Sequence, residues 1–313
     1  MLGLASPAAS REFSGAAEVP DTGRHMAEVN SGSWVQPVTG GEIDVSVGPG
    51  RLPVTRPELL KWIDDATAAV TGYYGKFPVP RLRLVILLDQ REGVHAGNER
   101  GGRRITIRLG SSTSGADLDD DWQLTHEFFH LGFPDVPDRY HWMEEGLSTY
   151  LEPIARARAG HLSPERVWQD MVHGMPRGLP EAGDRGLDRT PTWGRTYWGG
   201  ALFWLLADVR IREQTGNRHS LDDAIRAIWS EGGDGAADWP AERVLREGDR
   251  ATGVSVLEDL HRQLGDKPVD IDLPALWKRL GVIYRNRRLS FDNGAPLAAI
   301  RVAMTAPDRP ISP

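Results

Sequence analysis

His126-Glu127-Phe128-Phe129-His130, with Trp142-Met143-Glu144-Glu145-Gly146-Leu147 following it, decides how this chain reads. A helix over 120–131 puts His126 and His130 four residues apart, and so on one face. Two imidazoles one turn apart can grip one metal ion, while Glu127 beside them is badly placed as a ligand but can reach a water on that ion. A catalytic zinc takes three protein ligands and keeps one position open; Glu145 is the natural third. Leu124, Phe128 and Leu131 fall on the opposite face, so the helix can bury an apolar stripe while offering ligands to a cleft.

The fourteen residues between His130 and Glu145 are enough for a second helix to return antiparallel. Glu144 lies about 100° around that helix from Glu145. Glu145 is the better ligand because Gly146 follows it and leaves room for close helix approach.

Composition narrows the setting. At 313 residues the chain can bury a core as one large domain or two intimate lobes. With 40% hydrophobic and 26% charged residues it has globular composition. A net charge of −7 argues against nucleic acid as a partner. The longest apolar run, near Gly200–Leu206, is too short to span a bilayer. With no cysteine, any zinc must use histidine and carboxylate. Met1–Ser10 is similar to the end of a secretory signal, with Ala8 and Ser10 as its small residues, although a basic start and a full apolar stretch are missing. Export to the periplasm or outside the cell is the expectation.

The pattern along the chain gives an α+β order. Residues 1–41 read as a tail or linker, 42–118 as a β-rich lobe and 119–313 as a helical lobe of one domain. Strands are expected at Glu42–Val47, Arg81–Leu88 and Arg103–Leu109, and a helix over Pro57–Tyr74. Asp119–Asp121 supply capping carboxylates to the histidine helix, a better use of that acidic run than calcium. Further helices are expected from His141 to about Ala159, from Ser163-Pro164, and over Trp193–Gln214, ended by Gly216. Ser220–Asp223 caps another; 240–281 holds short helices and 282–304 strand pieces.

His-Glu-Phe-Phe-His with Trp-Met-Glu-Glu-Gly-Leu-Ser-Thr-Tyr resembles the gluzincin metallopeptidases, whose third ligand is the Glu of a Glu-Gly pair on the next helix. Tyr197–Asp223 is similar to a helix and cap of the glycyl aminopeptidase family. The resemblance spans roughly 43–300 and is specific in 126–150 and 197–223. It implies a thermolysin-like catalytic domain with a small mixed-sheet lobe before a mainly helical one. It also implies one zinc ion on His126, His130 and Glu145, with Glu127 moving the proton during hydrolysis of a peptide or protein substrate. Tyr197 matches the tyrosine whose hydroxyl steadies the oxyanion, a role suited to an uncharged donor.

Two positions depart from the family. Gly199 stands where it has lysine. The Gly-rich strand that should carry a carboxylate for the substrate's free amine reads Glu99-Arg-Gly-Gly-Arg-Arg-Ile-Thr-Ile-Arg-Leu-Gly110, with glycines and arginines but no carboxylate in the expected place. A cleft favouring anionic groups over a free amine is therefore expected, with strand 104–109 at its edge to pair with extended substrate. Trp122, Trp142, Trp193 and Trp198 cluster near the site in sequence, as pocket lining or core. The competing readings are an inactive peptide-binding relative and a zinc hydrolase of a non-protein amide.

Overall fold

Apolar residues alternate through Ile43, Val45 and Val47, through Leu82, Leu84 and Ile86, and through Ile105, Ile107 and Leu109, and all nine are buried. Three strands thus present one wholly apolar face. The computed structural model describes residues 32–307. In it these strands are β2 (Gly41–Val47), β3 (Arg81–Asp89) and β5 (Arg104–Gly110). With β1 (Ser33–Val38) and β4 (Val94–Arg100) they form a mixed sheet of order β1-β2-β3-β5-β4. β2, β3 and β5 run parallel; β1 and β4 add antiparallel at the edges. Helix α1 (Arg56–Tyr74) buries Leu59, Ile63, Ala66 and Val70, and starts at a Thr55–Glu58 capping box.

The rest is mainly helical. α2 (Gly115–Asp120) and α3 (Gln123–His130) lead to α4 (His141–Arg158) and α5 (Pro164–Gly174). A π turn, Gly194–Gly199, runs into α6 (Gly200–Thr215), and α7 (Leu221–Ser230) follows. Next come α8 (Ala241–Thr252), α9 (Val256–Leu264) and α10 (Leu273–Leu280). The hairpin β6 (Val282–Arg285) and β7 (Arg288–Phe291) and helix α11 (Ala298–Thr305) close the described chain.

Several expectations need correction. The secretory-signal reading of residues 1–10 lies outside the described residues, but from Ser33 onward the stretch read as tail is β1, paired to β2 from Ser33↔Ser46 to Val38↔Gly41. The single helix over 120–131 is two. Asp121 turns extended (φ −64°, ψ 132°), and its carboxylate accepts from Gln123 N at 3.0 Å and Leu124 N at 3.1 Å, restarting the helix as a cap. The opening of the 193–214 helix is π rather than α. The 282–304 stretch is a hairpin followed by a helix. β4 was not anticipated, and it, not β5, is the edge strand.

Helices α4 and α6 set the position of the site. They touch backbone to backbone: a Cβ on Gly146 would lie 2.4 Å from Gly200 C, and one on Gly200 would lie 2.1 Å from Trp142 O. Away from that contact a buried polar network ties the helices together. Tyr150 donates to Asp208 Oδ2 at 2.9 Å, Arg212 Nε to Asp208 Oδ1 at 2.8 Å, and Arg158 Nη1 to Asp222 Oδ2 at 2.9 Å.

Burial opposes ionisation of Asp222, but the guanidinium groups of Arg158 and Arg212 outweigh it and hold its carboxyl below the usual 3.8. Asp222→Asn takes a counter-charge from the buried guanidinium of Arg158 and is expected to destabilise the fold by about 3–5 kcal/mol. A depressed folded-state pKa means this stabilisation is present above the unfolded value and fades as pH falls through the folded one. Urea denaturation should therefore show the same loss at pH 7 and pH 5, shrinking only below the ordinary 3.8. A loss that disappears by pH 5 would contradict the assignment.

Candidate metal centre

α3 is short, and its face is decided by what it buries. Leu124, Phe128 and Phe129 are fully buried against α1 and the sheet, with Phe129 edge-on to Tyr73 at 5.4 Å and Phe128 edge-on to Phe77 at 5.4 Å. The other face then carries His126, Glu127 and His130 into a cleft of about 660 Å³. α4 packs across it and contributes Glu145. His126 Nε2 lies 3.0 Å and His130 Nε2 3.6 Å from Glu145 Oε2. Donor atoms of the three residues all fall within 4.8 Å of one another.

Donors around a tetrahedral zinc with bonds of about 2.1 Å stand about 3.4 Å apart, so the cage has the right size and the right chemistry. Glu144 also lines the cleft, but its Oε1 is engaged, accepting from Val136 N at 2.9 Å. His141, an alternative ligand by residue type, instead places Nε2 3.3 Å from the second oxygen of Glu145 and buttresses it.

Burial and neighbouring charges compete across the cluster. Burial opposes ionisation of Glu145, but hydrogen bonds from His126, His130 and His141 override it and hold the carboxyl far below its usual range. Burial draws His130 down, yet Glu145, Glu127 and Glu144 outweigh it and raise it to about 9. For His126 burial wins and the pKa falls. Glu127 is pushed up to about 7, first by burial and then by Glu145 and Glu99. A divalent ion held by His126, His130 and Glu145 would take the place of the protons that these groups now share.

Tyr197 sits in the π turn, a local widening that recurs at functional sites. Its ring stacks at 6.2 Å from that of His126 and at 5.8 Å on Trp193. Burial, then the charge and hydrogen bonding of Glu145, keep its hydroxyl protonated. The residues singled out by sequence thus converge, with Tyr197 across the cleft from α3.

β4 supplies what the sequence reading missed. Gly97, Asn98 and Glu99 line the cleft. The pairing of β4 with β5 shifts between His95 and Asn98, a bulge of the kind that re-aims side chains beside active sites. Gly97 lets the strand pass over the general-base candidate: a Cβ there would meet Glu127 Oε1 at 2.4 Å. Glu99 is pushed up to about 7 by burial, against a hydrogen bond from Gly102 and the pull of His130. Its Oε1 is buried without a hydrogen-bond partner among the described residues. The cleft therefore does hold a carboxylate on the strand before the zinc helix. The described residues that line it include the carboxylates of Glu99, Asp135 and Glu144. The signal was present as Gly97-Asn98-Glu99, hidden because β4 has almost no β-branched residues.

Comparison with known proteins shows a likeness of fold. No protein-family model matches the chain, and no curated protein matches by sequence. Among solved structures, the aminopeptidase N family protein from Idiomarina loihiensis is similar with TM-score 0.63 and 14% identity, over 80% of this chain and 49% of that one. A mutant M1 zinc metallopeptidase from Deinococcus radiodurans gives TM-score 0.53 and 14% identity, over 78% and 54% of the two chains. A complex of that mutant enzyme with a Tyr-Ser-Ala substrate gives TM-score 0.52 at 14% identity, again over 78% and 54%. The chain spans about half the length of these proteins.

Glu145→Ala is expected to weaken zinc binding by well over about 100-fold, whereas Glu144→Ala costs about tenfold, the lower end of the range for an outer contact. Calorimetric titration of the metal-free protein checks this, and equal losses in the two variants would remove Glu145 as the ligand.

Proposed function

We propose that the chain is a gluzincin-type zinc metallopeptidase that removes residues from the free N-terminus of peptides. The observation that carries this is the joint placement of His126, His130 and Glu145 as one donor set, with Glu127 beside them and, in the same cleft, Glu99, whose Oε1 has no hydrogen-bond partner among the described residues. The fold shared with M1 zinc metallopeptidases supports it.

Zinc held there supplies Lewis-acid chemistry, polarising a carbonyl and making water more acidic. The protein's own groups do the rest. Glu127, poised near pH 7 by burial, takes a proton from the attacking water and returns it to the leaving amine. Tyr197, kept neutral, donates its hydroxyl to the carbonyl oxygen as negative charge develops. Glu99 pairs with the substrate's ammonium and so sets how far the chain can extend past the scissile bond. A charge pair in a closed cleft is much stronger than in water. β4 is the outer strand of the sheet beside the cleft, where an extended substrate would add alongside it.

The test is cleavage profiling by mass spectrometry on a peptide mixture, half with free and half with acetylated N-termini. Zinc-loaded wild type is expected to release single residues from free N-termini only, and chelation to stop it. Glu127→Ala is expected to keep zinc and lose on the order of 10²–10⁴ in rate. Glu99→Gln is expected to raise KM for free peptides and narrow the gap to acetylated ones. Equal cleavage of free and blocked peptides by wild type would defeat the aminopeptidase reading; no cleavage by zinc-loaded protein would defeat peptidase function.

A further inference from the structure

A second cavity of about 490 Å³ adjoins the metal cleft, and Trp122 and Tyr197 line both. Its position follows from the order of groups across the site. Glu99 is under the influence of His130, Asp135 and Glu144, which puts it toward the His130 end. At the other end the Trp122 ring stands 5.4 Å from that of His126, and the Tyr197 ring 6.2 Å from it. Along α4, Glu144 precedes Glu145 and faces the first cleft, whereas Thr149 and Pro153, one and two turns later, line the second cavity. A peptide whose amine is held at Glu99 and whose first carbonyl reaches the metal would next pass between Trp122 and Tyr197 into this space.

The walls indicate what it takes. Trp193 and Trp198 join Trp122, Pro153 and Leu162. Trp122 and Trp193, 49% and 59% exposed, are two of the four large hydrophobic residues left exposed among the described residues. Most of the charged lining is already satisfied: Arg156 pairs with Glu152 at 2.8 Å, and Arg166 with Asp170 at 2.9 Å and Asp120 at 3.4 Å. Exposed indole faces around a space whose charges largely cancel suit an aromatic guest, which can stack offset or edge-on.

We propose that this cavity is the specificity pocket for the residue following the cleaved bond, and that it selects an aromatic side chain there. This rests on the aminopeptidase reading, so the experiment has an arm independent of turnover. In the first arm, kcat/KM is measured for Ala-X-Ala peptides with X = Phe, Trp, Leu, Ala, Asp or Lys. Zinc-loaded wild type is expected to favour Phe or Trp over Ala by about tenfold, the equivalent of ~1.4 kcal/mol. Trp193→Ala is expected to bring that ratio close to one, and Trp193→Phe to restore most of it. Because Trp193 also stacks on Tyr197, the ratio is the readout: a purely structural defect lowers all substrates alike.

In the second arm, metal-free protein is titrated with N-acetyl-phenylalaninamide and N-acetyl-alaninamide, followed by tryptophan fluorescence. Neither compound has a free amine for Glu99. Saturable binding of the aromatic compound alone, lost in Trp193→Ala, supports the pocket. If it occurs without cleavage of any peptide, the pocket stands and the peptidase reading falls. Cleavage with no aromatic preference and no selective binding would overturn the pocket while leaving the peptidase reading intact. A preference for Asp would likewise overturn it, pointing to Arg177 at the rim.

Discussion

The site depends on the contact between Gly146 and Gly200. Two helices normally stand 8–10 Å apart because side chains separate them. Here neither residue has one, and even a methyl group would overlap the facing backbone. Glu145 is the immediate neighbour of Gly146 in α4, and Tyr197 lies in the π turn that feeds α6 at Gly200. Closing the two backbones therefore brings Glu145 and Tyr197 together beside the imidazole pair. The Tyr150–Asp208–Arg212 and Arg158–Asp222 bonds brace these helices elsewhere, so the catalytic end is held from two places.

With geometry fixed this way, charge becomes the second constraint. Glu99, Glu127, Glu144 and Glu145 crowd one cleft with His126, His130 and His141. The histidines keep Glu145 ionised, while burial holds Glu99 and Glu127 at about 7. One arrangement thus places an ionised carboxylate beside two others pushed up toward neutrality, a pairing the proposed hydrolysis would use. The same excess of carboxylate suits a cationic substrate end at Glu99, while the aromatic cavity past Tyr197 suits an apolar one.

Much of this was legible in the sequence because periodicity and chemistry coincide there. The apolar stripe of Leu124 and Phe128 faced away from His126 and His130, and Gly146 marked the close helix approach that favoured Glu145 over Glu144. β2, β3 and β5 were visible through strict alternation of apolar residues. What escaped carries a weak or misleading local signal, although its partners lie close by in sequence. β4 reads as loop because His95, Gly97, Asn98 and Glu99 have little strand preference, and only pairing with β5 makes them a strand. Glu99 was on the page, but its aim comes from a bulge that no local pattern announces. β1 reads as tail because it is short, follows a Gly- and Ser-rich stretch and carries Pro37, and the break at Asp121 turns on a side-chain cap competing with helix continuation.

The most direct measurement is crystallographic: anomalous scattering at the zinc edge from protein reconstituted with zinc. The expected result is one strong peak about 2 Å from Nε2 of His126, Nε2 of His130 and a carboxylate oxygen of Glu145, with the Tyr197 hydroxyl facing it across the cleft. A fully occupied ion elsewhere, or none at this cluster in protein saturated with zinc, would contradict the account at its centre.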